Sequence, residues 1–75
     1  MWRETGEGLE AEFEFEDFAE AFAFMTKVAS IAEEQQHHPE WSNVYNRVSI
    51  RLRTHDANNS ITEKDRRLAA DITDL

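Results

Sequence analysis

The polar and apolar positions of this chain fall into blocks with two different periods. Leu9-Glu-Ala-Glu-Phe13-Glu-Phe15 alternates apolar with acidic residues. Period two with aromatic side chains predicts a half-buried strand. Trp2 to Thr5 is a shorter extended segment, and Gly6-Glu7-Gly8 predicts a turn between the two, since glycine takes positive φ without penalty. Together they predict a hairpin.

From Asp17 the period changes. Its carboxylate can accept the free N–H groups of a first helical turn. The stretch from Phe18 to about Gln36 has neither Gly nor Pro, and Phe18, Phe22, Met25, Ala29 and Ala32 recur at helical spacing. Ala21, Phe24, Val28 and Ile31 form a second, adjoining apolar strip. One strip is enough to cover a small sheet. The extra width predicts a further partner, most simply the same helix of another subunit; a helix buried on all sides is the alternative.

Pro39 disfavours the α region at the residue before it. His38 should therefore leave the helix, with His37 in the last turn or just beyond. Asn43 to Arg53 alternates again, with Val44, Asn46, Val48, Ile50 and Leu52 on one face and Tyr45, Arg47, Ser49, Arg51 and Arg53 on the other. A second half-buried strand follows, on a sheet with one wet face. Thr54 to Ser60 is a loop by composition, and Ser60-Ile61 is a candidate short strand. Thr62-Glu63-Lys64-Asp65 is a variant capping box that opens a helix with the inner stripe Leu68, Ala69, Ile72 and Leu75. The order reads β-β-α-β-β-α. The expected fold is α+β, with helices packed on one face of the sheet and residues 1–75 forming one domain.

Composition narrows the function. A chain of 75 residues with no cysteine has neither disulfides nor thiolate metal ligands to reinforce a small core, so self-association is the expected supplement. The net charge of −8 argues against a nucleic-acid or anionic membrane surface. No apolar run approaches a membrane span, and no secretory signal is visible, so a cytoplasmic location is expected.

The candidate chemistry lies in the three histidines, His37, His38 and His55. Imidazole, with an unperturbed pKa of about 6.5, can serve as acid or base near neutrality. Eliminating water from a C–OH centre needs both: an acid for the departing hydroxyl and a base for the neighbouring proton. Glu33, four residues before His37, could fix its tautomer on a shared helix face, and Asp65 could do the same for His55. Other readings remain. His37-His38 can be a simple helix C-cap, and His55 can be a surface loop residue. Trp41 and Tyr45 can be packing residues, Arg47, Arg51 and Arg53 a solvated strand face, and Asp65 only a cap. A three-histidine zinc site is disfavoured, because adjacent histidines diverge and no His-x-x-x-His spacing exists.

Glu33-x3-His37-His38-Pro39, then Tyr45, His55 and Asp65, resembles the signature of the pterin-4a-carbinolamine dehydratases. Phe13-Glu-Phe15-Glu-Asp17-Phe18, Phe24-Met25-Thr26-Lys27-Val28-Ala29 and Trp41-Ser-Asn43-Val44-Tyr45-Asn46 resemble family segments too, so the likeness spans the chain. It implies a four-stranded antiparallel sheet, and dimers or tetramers assembled through the helix around Phe18-Gln36. It also implies elimination of water from 4a-hydroxytetrahydropterin to give quinonoid dihydropterin, which recycles the cofactor of aromatic amino acid hydroxylases. The pterin is the substrate, with no metal or organic cofactor. Carried over, His37 and His55 would be general acids, each for one stereoisomer, and His38 the pterin-binding base. Glu33, Pro39, Trp41, Thr54 and Asp65 would bind substrate or support the histidines. The chain resembles a short form lacking the family's N-terminal helix, has Asn58-Asn59-Ser60 where many relatives have glycine, and has Gln36 where animal members carry an acid. A non-catalytic interaction module, or an enzyme acting on a molybdopterin-related pterin, are the alternatives.

Overall fold

A computed structural model describing residues 1–75 turns these patterns into four strands and two helices. β1 (Arg3–Thr5) and β2 (Gly8–Glu14) form the expected hairpin. Gly8 has φ 139°, and a Cβ there would lie 2.7 Å from the Leu52 carbonyl oxygen, so glycine is required where β2 begins. α1 (Phe18–Gln35) is capped by Asp17, whose Oδ1 accepts from the Glu20 N–H at 2.9 Å. β3 (Glu40–Val44), β4 (Arg47–Leu52) and α2 (Glu63–Thr73) follow. The sheet order is β1-β2-β4-β3, with every neighbouring pair antiparallel. The α+β architecture and element order therefore match the expectation.

The register pairs Leu9 with Leu52, Ala11 with Ile50 and Phe13 with Val48. These residues share one face, and Ala21 and Val28 of α1 and Leu68, Ala69 and Ile72 of α2 close over it to form one continuous core. Trp2, Phe13, Phe15 and Phe24 rim the core, with ring centroids 4.9–5.8 Å apart. The inner strip of α1 is the one through Ala21, Phe24, Val28 and Ile31, joined by Met25 and the buried Ala32 from the other strip. Phe18 and Phe22 on the other strip are 47% and 54% exposed.

Three details differ from the sequence reading. Asn43–Arg53 is not one strand but the end of β3, a two-residue turn and β4. Tyr45 takes a left-handed φ of 51°, and the Asn43 side chain donates to the carbonyls of Tyr45 and Arg47 at 3.1 and 2.8 Å. Pairing Val44 with Arg47 reflects the alternation, so Val44 joins the outer face and is 68% exposed, while Val48, Ile50 and Leu52 stay inside. Ser60-Ile61 contributes only an isolated bridge between Thr54 and Ser60. Leu75 lies past the end of α2 and is half exposed rather than part of its inner stripe.

Leu68 is fully buried between α2 and the sheet. Leu68→Ala is expected to cost about 2–5 kcal/mol, read as a lower urea midpoint. A loss below about 1 kcal/mol would mean that α2 is not held by this core contact.

Candidate active site

The site begins where α1 ends. Gln36 adopts the left-handed conformation (φ 53°, ψ 41°). The His37 N–H donates to the Ala32 carbonyl at 3.1 Å, and the Gln36 N–H donates to the Glu33 carbonyl at 3.2 Å. This pair of bonds is a Schellman motif, normally built on glycine. It ends the helix before Pro39 acts and swings His37 off the helix face towards the start of α2.

There the His37 Nε2 lies 2.5 Å from the Asp65 Oδ1. The Asp65 side chain is fully buried, and that of His37 is 11% exposed. The other Asp65 oxygen, Oδ2, accepts from the Thr54 hydroxyl and from the Thr62 N–H, both at 2.8 Å. Thr54 has one proton and gives it to Asp65, so the Thr62 hydroxyl, 2.6 Å away, donates to Thr54. Burial opposes ionisation of Asp65, and the donors from His37, Thr62 and Thr54 overcome it, holding its carboxyl below the usual range. With Asp65 ionised, the His37 Nε2 carries a proton and donates.

The other two imidazoles follow the same plan in more open surroundings. The His38 Nε2 sits 2.8 Å from the Glu33 Oε1, and both side chains are well exposed. His55 opens a 3₁₀ turn, His55–Ala57, and its Nε2 lies 3.4 Å from the Glu40 Oε2. Arg53 forks onto the same carboxylate, with Nε to Oε2 at 2.7 Å and Nη2 to Oε1 at 3.1 Å. The fork holds the Glu40 pKa below its ordinary value, helped by His55 and Arg51.

His37, His38, Thr54 and His55 line one polar cleft of about 300 Å³, shared with Gln36, Arg53, Asp56 and Lys64. No group of three His, Asp or Glu side chains has metal-holding geometry. A larger groove of about 450 Å³ between Trp2 and α2 contains no histidine.

The carboxylate partners differ from those expected. Glu33 holds His38, not His37, because the Schellman turn removes His37 from the helix face. Asp65 holds His37, not His55, whose partner is Glu40. Pro39 and Trp41 do not line the cleft; Trp41 lies on β3 and packs against the core. Glu40 was not singled out and Arg53 was read only as part of a solvated strand face, since their meeting depends on the β3–β4 hairpin that the alternation concealed.

The sequence profile described as pterin 4 alpha carbinolamine dehydratase matches residues 1–75. A relative from Synechococcus sp. named "Putative pterin-4-alpha-carbinolamine dehydratase" is 53% identical over 74 residues, which span 99% of this chain and 78% of that one. A protein of the same name from Paraburkholderia xenovorans is 54% identical over 69 residues, spanning 92% of this chain and 71% of that one. Among solved structures, a transcriptional coactivator/pterin dehydratase from Brucella melitensis superposes with a TM-score of 0.89 at 42% identity, covering 96% of this chain and 78% of its own. A pterin dehydratase-like protein identified as a RuBisCO assembly factor in the alpha-carboxysome superposes with a TM-score of 0.79 at 30% identity, covering 95% and 83%.

The depressed Asp65 pKa sets a pH dependence. A carboxyl that ionises more readily folded than unfolded stabilises fully above its unfolded value of about 3.9, and that contribution is lost as pH falls through the folded value. Asp65→Asn is expected to cost about 1–3 kcal/mol at neutral pH, and urea titrations should show the gap to wild type closing in acid. A gap unchanged down to about pH 2 contradicts this account.

Proposed function

Because the chain belongs to the pterin 4 alpha carbinolamine dehydratase family, we propose that it dehydrates 4a-hydroxytetrahydropterin to quinonoid dihydropterin by histidine acid–base catalysis. The observation carrying this reading is the convergence of three imidazoles, each backed by its own carboxylate, on one cleft. His37 or His55 gives a proton to the departing C4a hydroxyl, according to the stereoisomer bound. His38 takes the proton of the adjacent ring N–H. The C–O bond breaks, the C–N bond becomes double, and water leaves. The net change is loss of water alone, so the step balances without an oxidant or reductant.

The carboxylates suit this scheme. Each takes the Nε2–H of its imidazole, which leaves Nδ1 for the substrate: as imidazolium the ring gives the Nδ1 proton as acid, and neutral it accepts one there as base. The exposed rings of His38 and His55 can be reset by bulk water after each turnover. His37, nearly enclosed against Asp65, is the most rigid of the three. The proposed setting is the cytoplasm, where the product would be reduced for reuse by aromatic amino acid hydroxylases.

A second reading, a protein-interaction role, is favoured by the exposed aromatics of α1. Phe18 and Phe22 stack with ring centroids 5.7 Å apart on the strip that faces away from the core. The simplest occupant is the α1 of another subunit, giving a homodimer or homotetramer. The two readings are compatible, since the strip and the cleft use different residues.

A stopped-flow dehydration assay tests the first reading. His38→Ala is expected to slow the reaction about a hundred-fold or more, and equal rates in the variant and wild type would end the assignment. Sedimentation velocity tests the second: Phe22→Glu is expected to reduce the assembly to smaller species, and an unchanged mass would place the contact elsewhere.

A further inference from the structure

The polar ladder on the outer sheet face leads to the site. The Thr5 hydroxyl donates to Glu10 at 2.9 Å, and Arg51 meets Glu7 at 2.9 Å, Glu10 at 3.3 Å and Glu40 at 3.7 Å. The ladder ends on Glu40, the first residue of the edge strand β3, which pairs in register with Arg51. Arg53, just past β4, adds its two-pronged contact. The carboxylate is thus fixed from two directions, although it sits at the surface. Its Oε2 is shared between Arg53 and His55.

His55 has no other fixed partner. Its side chain is 72% exposed. It follows the Thr54 backbone into a single 3₁₀ turn with no side-chain cap, before two left-handed asparagines, Asn58 and Asn59. The other charged or titratable groups around its cleft are Asp56 in the same turn, His37 and His38 after α1, and Lys64 in α2. None of these holds its ring. Left alone, an imidazole in such a loop would rotate and exchange tautomers freely, and an acid with an undefined donor atom is a poor acid.

We propose that Glu40, clamped by Arg53 and Arg51, is the positioning residue of His55: it accepts a hydrogen bond from Nε2–H and so presents Nδ1, protonated when the ring acts as acid, to the cleft. This deepens the dehydratase reading, and its kinetic arm rests on that reading. The Arg53 fork matters because a bidentate guanidinium–carboxylate pair fixes the plane of the acceptor, which a lysine would not. It also keeps the carboxylate ionised, so the acceptor role does not lapse as substrate binds.

The test is a long-range proton–nitrogen correlation spectrum of the histidine rings in the full chain at alkaline pH, where neutral imidazoles report which nitrogen is protonated. Wild type is expected to show His55 as the Nε2–H form. Glu40→Ala is expected to show the Nδ1–H form as a second population, with His37 and His38 unmoved. In the dehydration assay the same variant should lose about tenfold in kcat with KM kept, less than the hundred-fold of removing an acid outright. A wild-type His55 already split between both forms, or a Glu40→Ala spectrum identical to wild type, overturns the inference. The spectrum needs no substrate, so it decides the role of Glu40 even if the protein fails to dehydrate the pterin.

Discussion

The buried carboxylate of Asp65 is the constraint on which the rest of the site depends. Its two oxygens tie together three separated pieces of chain: His37 after α1, Thr54 after β4 and Thr62 before α2. A buried charge with a missing partner is costly, about 3–5 kcal/mol when one side of such a pair is removed. The three segments are therefore held in one arrangement rather than several. The capping box at Thr62 and the anchoring of His37 are one structure, because the residue that caps the last helix is also the one that aims the first imidazole.

From that anchor the site opens outwards in graded steps. His37–Asp65 is nearly closed to solvent, His38–Glu33 is exposed, and His55–Glu40 lies between a surface loop and an arginine fork. The same pairing, imidazole Nε2 to carboxylate, recurs in three dielectric settings. Electrostatic interactions strengthen as water is excluded, so one chemical device yields one rigid group and two that exchange readily with solvent. The proposed dehydration, which must both give and take a proton, would be served by that difference.

Much of this was legible in the sequence. Alternation from Leu9 to Phe15 marked β2, and the absence of Gly and Pro after Asp17 marked α1. The Thr62–Asp65 spacing marked the α2 cap. These signals are local, so local chemistry reveals them. The spacing of His37, His38 and His55 also pointed to one site, through its likeness to a family signature. Three things were not legible. Gln36 takes a left-handed conformation that its type does not advertise. The Tyr45-Asn46 turn lacks glycine and reverses the chain without interrupting the apparent alternation. And because the hairpin brings Glu40 beside Arg51 and Arg53, the partner of His55 is settled by strand register, which spacing along the chain does not encode. Helical spacing likewise assigned Glu33 to His37, and a backbone turn reassigned it to His38.

The proposed dehydration requires three imidazoles to meet one ligand in one cleft. Ring resonances of His37, His38 and His55 should be followed by NMR while an unreactive dihydropterin is titrated into the protein. All three are predicted to shift together and saturate on a single binding curve. A pterin that leaves these rings unmoved while perturbing the groove between Trp2 and α2, or that shifts the rings on separate curves, would contradict the account.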